Sequence, residues 1–144
     1  MLALHKILLH LDATLESQRA LRSAIFLSTT TGATIIAVHV VNKHVVAQLA
    51  RHGTQTLADV EIEFEENGWR YLYAAEEEAK NAGAHIVIMQ EQGYPEEILP
   101  RLATAYQAEL VIVGLAPRSR SDATRVHIAD QLIEHAPCAV LVVK

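Results

Sequence analysis

The sequence predicts an α/β fold, an open five-stranded parallel sheet with helices on both faces. Three observations carry this. Short leucine-rich or β-branched runs alternate with stretches of helical spacing along the whole chain. The runs are almost continuously apolar, as strands covered on both faces must be. Strand–helix alternation implies parallel strands joined by right-handed crossovers, and these confine the topology to a doubly wound sheet, expected in the order 3-2-1-4-5. At 144 residues the chain is close to the ~150 of one domain, so residues 1–144 read as a single unit.

The elements follow in order. His5 to Leu11 is an apolar strand ending at Asp12. From Thr14 the spacing turns helical, with Leu15, Ala20, Leu21, Ala24, Ile25, Leu27 and Ser28 on one face and Gly32 closing the helix in a left-handed conformation. Ala33 to Val41 is the second strand. Asn42 to Gly53 reads as irregular or weakly helical. Gln55 to Asn81 is a long acidic helix that Asn67-Gly68 would interrupt, because an interior glycine costs ~1 kcal/mol. His85 to Met89 is the third strand. Gly93-Tyr94-Pro95-Glu96-Glu97 opens a helix running to about Gln107, with Pro95 in the tolerated first turn and Pro100 further in. Leu110 to Val113 is the fourth strand, closed by Gly114. A polar loop, Leu115 to Arg125, leads into a helix ending at His135. Pro137 breaks it, and Cys138 to Val143 is the last strand.

Composition narrows the function. Hydrophobic residues make up 51% and charged residues 20%, enough for a packed core and too little charge for disorder. Twelve Lys and Arg against 17 Asp and Glu give −5, with no basic excess to neutralise a row of phosphates, so nucleic-acid binding is disfavoured. The apolar runs fall well short of the ~20 residues of a membrane span. The N-terminal stretch has Lys6 inside its apolar run and no small-residue cleavage site, so no signal peptide is expected. One cysteine fits a reducing cytoplasm.

In a doubly wound, flavodoxin- or Rossmann-like sheet, ligands sit beyond the carboxyl ends of the strands where the winding reverses. That places Asp12 and Gly114 side by side. Asp12 could accept a hydrogen bond from a base amine, or it could serve the turn and helix entry locally. The loop after Gly114 carries Arg118, Arg120 and Arg125 against one Asp122, with hydroxyls among them and a helix start behind, a composition suited either to an anion or to solvent. No histidine pair has i,i+4 ligand spacing on one helix, so no metal is expected. Cys138 has no basic neighbour in sequence and reads as a core thiol. The acidic run from Asp59 to Glu66 reads as the solvated face of a helix, and Trp69, Tyr71 and Tyr73 as core or dimer contacts. No Ser/His/Asp set or paired carboxylates mark a catalyst.

Lys6-Ile7-Leu8-Leu9 ending at Asp12, Val38-His39-Val40-Val41, Gly93 to Leu99, Ala108 to Gly114 and His135 to Val143 stand in the order and spacing of the universal stress proteins, which the chain resembles from end to end. The resemblance implies an adenine nucleotide alpha hydrolase-like domain, a cytoplasmic stress-response role without dedicated catalysis, and a homodimer that pairs its final strands, residues 138–143, across an axis. It also implies a possible ATP site. ATP-binding members carry a G-x2-G-x9-G-[S/T] loop and contact the adenine at the end of the second strand, here Val41. Gly114 supplies the first glycine, and Arg118 and Ser119 match residues common after the second. Pro117 stands in the second glycine's place, and Val126-His127 where the final pair would fall, with the loop one residue short. Pro117 removes an amide donor and Val126 crowds the phosphates, while His127 could donate from its imidazole. The expected pocket is therefore Asp12, Val41, Gly114, Arg118, Ser119 and His127, degraded for ATP, with no firm cofactor. An adenine nucleotide remains possible, with slow hydrolysis if the site is intact. Unknown protein partners are the other expected ligands.

Overall fold

The computed structural model describes residues 3–117 and 127–144. Five strands, β1 (Lys6–Leu11), β2 (Thr34–Asn42), β3 (His85–Gly93), β4 (Leu110–Gly114) and β5 (Ala139–Val143), form one parallel sheet in the order β3-β2-β1-β4-β5, as the alternation predicts. Odd-numbered β1 residues Ile7, Leu9 and Leu11 join Ile35 and Ala37 beneath α1 (Leu15–Thr31) and α3 (Leu57–Asn81). Leu8, Ile36, Val38 and Val111 point the other way, beneath α4 (Pro95–Ala105) and α5 (Ile128–His135). This two-sided burial is why the strands lack polar alternation.

Three elements depart from the sequence reading. Lys43–His52 is a regular helix, α2, where weak order was expected. Asn42 Oδ1 caps it by accepting from the His44 amide at 3.0 Å, and Val46, Leu49 and Ala50 stand at helical spacing, although Val46 is its only buried residue among those described. α3 runs unbroken through Gly68, which is buried where the helix crosses the sheet; a Cβ there would overlap His39 and Gln90. The glycine is a point of close approach, not a stop. β3 continues four residues past Met89, because Gln90, Glu91, Gln92 and Gly93 keep their pairing with β2 after the apolar pattern has ended. Leu15, expected on the buried face of α1, is 59% exposed. Gly32 closes α1 at φ +81°, as predicted.

Candidate functional site

β1 pairs with β2 only as far as Leu11 opposite His39, whereas β2 continues to Asn42 against β3. A notch therefore opens beyond β1, between the ends of β2 and β4. It forms a cavity of about 570 Å³ walled by α2 and by the starts of α1, α4 and α5. Of the sequence-predicted site residues, Asp12, Gly114 and His127 line it together. Val41 does not: it is buried and packs on Val46 and Val60, and its neighbour Asn42 faces the cavity instead. Arg118 and Ser119, with Arg120, Arg125 and Val126, lie outside the described residues.

The helix entry explains how Asp12 is held. Its amide donates to Ser17 Oγ at 2.9 Å, and its Oδ1 accepts from the Thr14 amide at 2.9 Å and the Thr14 hydroxyl at 2.6 Å. Thr14 Oγ1 in turn accepts from the Ser17 amide at 3.1 Å, capping α1. Asp12 thus serves the turn and borders the cavity at once. Gly114 is equally constrained. A Cβ on it would lie 2.5 Å from the Glu16 carbonyl carbon and 2.6 Å from the Ser17 amide nitrogen, so the first turn of α1 occupies the space a side chain would need.

The α2 wall is what sequence reasoning missed. His44, Arg51 and His52 border the cavity, and His44 Nε2 donates to Glu96 Oε1 at 2.7 Å, tying α2 to the start of α4. Its ring also lies 4.6 Å from that of Tyr94. The starts of α1 and α5 add their positive dipole ends to the same hollow. Pro117 lines it without an amide proton to offer.

Two buried imidazoles stand on the central strands, His10 on β1 and His39 on β2. Burial holds the pKa of His10 below 6.5, opposed by the charge of Asp12. Burial likewise lowers His39, opposed by a 2.7 Å bond from its Nδ1 to Gln90 Oε1. The Gln90 amide then donates to the Glu65 carbonyl of α3 at 3.2 Å. Burial, and secondarily the charge of Glu109, raises the pKa of the half-buried Cys138 thiol, which disfavours its thiolate. Among the described residues no group of three or more His, Cys, Asp or Glu is placed to hold a metal. Nor is any described helix long and apolar enough to cross a membrane.

Residues 3–144 match the sequence pattern of the universal stress protein family. The chain belongs to that family. Universal stress protein E of Escherichia coli K12 is 40% identical over 55 residues, 38% of this chain and 17% of that protein; the Salmonella typhi counterpart gives the same match over 18% of its length. The aligned segment is thus under a fifth of these relatives. Among solved structures, a universal stress protein UspA from Lactobacillus plantarum superposes with a TM-score of 0.81 at 17% identity, covering 100% of both chains. A universal stress protein in complex with cAMP gives 0.73 at 20% identity over 99% of this chain and 98% of the other. An Archaeoglobus fulgidus universal stress protein in complex with dAMP gives 0.67 at 18% identity over 100% of both. These likenesses establish the α/β fold.

Proposed function

We propose that this universal stress protein is a cytoplasmic, homodimeric binding and signalling module that acts through protein partners and not as a dedicated catalyst. In this reading its nucleotide pocket has lost the means to hold a triphosphate. The observation that supports it is Pro117 on the cavity wall, three residues after Gly114, where family members that bind ATP offer a glycine amide. An amide lost there removes a charge-assisted hydrogen bond of ~1.5–3 kcal/mol. The dimer reading rests on the sheet edges. β5 pairs only with β4 and is wholly apolar, whereas the opposite edge, β3, is polar from Gln90 to Gln92. Apolar edges need cover and charged or polar ones protect themselves.

A second reading, adenine-nucleotide binding, draws on the cavity itself and on the relatives solved with cAMP and dAMP, whose phosphate groups are short. Asp12 would meet the base or sugar and His127 the anion. Calorimetric titration with ATP and Mg²⁺, cAMP and dAMP, with extraction of copurifying nucleotide, separates the two. The first reading expects no micromolar ATP binding. ATP binding in that range, abolished by Asp12→Ala and Arg118→Ala, would replace it with the second. Light scattering at micromolar protein should give a dimer mass, and Leu141→Glu on the β5 edge should give a monomer.

A further inference from the structure

We propose that the outer face of α3 is a docking surface for a cationic amphipathic helix of a partner protein. The proposal rests on the reading that this protein works through protein partners, and it specifies where and with what chemistry.

Charge is distributed very unevenly in the chain. α3 carries Asp59, Glu61, Glu63, Glu65, Glu66, Glu76, Glu77 and Glu78 against Arg70 and Lys80. Eight carboxylates and two cations leave −6 on one helix of a −5 chain, so everything else sums to +1. Among the described residues only two of these carboxylates have ion-pair partners: Glu76 with Lys80 at 3.7 Å and Glu78 with Arg22 at 4.0 Å.

An acidic face alone would be a solvated surface. This one also carries an apolar ridge. At 100° per residue Ile62, Trp69 and Tyr73 fall within about 40° of one another, on a flank of the helix about 125° round from the centre of the face that buries Val60, Gly68, Leu72, Ala75 and Ala79. Ile62 is 54% and Tyr73 59% exposed. The half-buried Trp69 is seated on the core beneath α1, and its ring stacks on that of Tyr73 at 5.7 Å and 30°. One ring of the pair is therefore anchored and the other presented. Glu66 lies on the same strip, so ring faces and carboxylates are interleaved.

Such a strip favours Lys or Arg side chains that cover an aromatic face and reach a carboxylate, with apolar residues between them. At ~1.5 Å per residue the ridge from Ile62 to Tyr73 runs about 17 Å along α3, suited to about three turns of a partner helix that contacts it at i, i+4 and i+7. The sign of the charge repels nucleic acid and anionic membrane alike. A second copy docking α3 against α3 would set −6 against −6. A basic protein segment is the occupant that remains.

The test uses the intact 144-residue chain, whose sole tryptophan, Trp69, reports from the ridge. The probe is a Trp-free amphipathic peptide of lysine, arginine and leucine, run beside a scrambled peptide of the same composition and beside phosphatidylglycerol vesicles. The expected result is a saturable shift in Trp69 emission, with the amphipathic peptide at least about tenfold tighter than the scrambled one. The double variant Ile62→Ser/Tyr73→Ser should lose about tenfold or more in affinity at unchanged unfolding temperature, and Glu66→Lys/Glu77→Lys should lose as much. Asp12→Ala should bind the peptide like the wild type, which separates this surface from the cavity. Equal binding of the scrambled peptide, unchanged affinity in either double variant, no saturable shift, or preference for the vesicles would each overturn the proposal. None of those outcomes bears on the nucleotide titration or the dimer mass, so the broader reading is judged separately.

Discussion

Gly68→Ala should destabilise the protein, against the ordinary rule for helices. In an exposed helix interior alanine is better than glycine by about 1 kcal/mol. Here the added Cβ meets Gln90 Oε1 and the His39 ring, both nearer than carbon atoms tolerate. Gln90 can swing aside, because its amide is the far end of a flexible side chain. Doing so breaks its 2.7 Å bond with His39 and its 3.2 Å bond to the Glu65 carbonyl, at a net ~1 kcal/mol each. The His39 ring has less room. It is buried on β2 with Tyr71 edge-on at 5.8 Å, so the residual overlap costs a further ~1–3 kcal/mol. Subtracting the helix gain leaves a loss of about 2–4 kcal/mol. For a domain of this size, 3 kcal/mol corresponds to a melting-temperature drop of about 6–12 °C. Urea denaturation followed by circular dichroism would read it as a fall in midpoint at constant slope. A double-mutant cycle isolates the cause, since in a Gln90→Ala background the alanine at 68 should cost markedly less. A variant as stable as the wild type, or more so, would refute the claim that α3 sits on His39 through this glycine.

Other outcomes follow from the same geometry. Gly114→Ala should cost more than Gly68→Ala, about 3 kcal/mol or above, because its Cβ strikes the backbone of Glu16 and Ser17, which cannot rotate away; equal stability by denaturation would remove the packing role assigned to it. Gly32→Ala meets no atom within 4 Å but must hold φ +81°, so it should cost only ~1 kcal/mol, measured the same way. Stability should also fall with acid. His10 and His39 have folded pKa values below the unfolded 6.5, so the unfolded chain takes up protons first; their contribution is complete above about pH 7 and drains away as pH falls below 6.5. Denaturation midpoints between pH 7.5 and 5.0 should show this, and His39→Gln should flatten the slope.

The fold was legible because its signals are redundant. The central strands β1, β2 and β4 bury apolar residues on both faces, each crossover is helical, and Gly32 announces its own left-handed turn. What escaped notice shares one physical cause: the deciding contacts are long-range. In Lys43 to His52 the local signal is brief, an asparagine cap and the spacing of Val46, Leu49 and Ala50, and the helix is fixed by one buried valine and a His44–Glu96 bond across 52 residues. Asn67-Gly68 looks like a break until His39 and Gln90 are found beneath it. Gln90 to Gly93 looks like the start of a turn because the ladder with β2, not hydrophobicity, keeps it extended. Val41 lies one residue short of the end of β2, and the face it presents to Val46 and Val60 depends on its packing against α2 and α3.

The same contrast governs how the site should be read. Gly114 and Asp12 are the residues that most resemble a nucleotide site, and both have structural duties that hold with or without a ligand. One leaves room for the first turn of α1, and the other anchors Thr14 at its cap. A fold of this kind would keep them after nucleotide binding had lapsed, so their presence carries little weight on that question. The informative positions are those with no such duty. Pro117 is exposed, lies past the end of β4 and packs in none of the apolar clusters formed by the described residues. A glycine there would cost the fold no buried contact. Pro117→Gly is therefore the substitution that asks about ligand alone: if the lost amide is what bars a triphosphate, this variant should gain ATP affinity by about tenfold in calorimetry at a melting temperature within a few degrees of wild type. Unchanged affinity would mean that the bar lies elsewhere in the cavity wall.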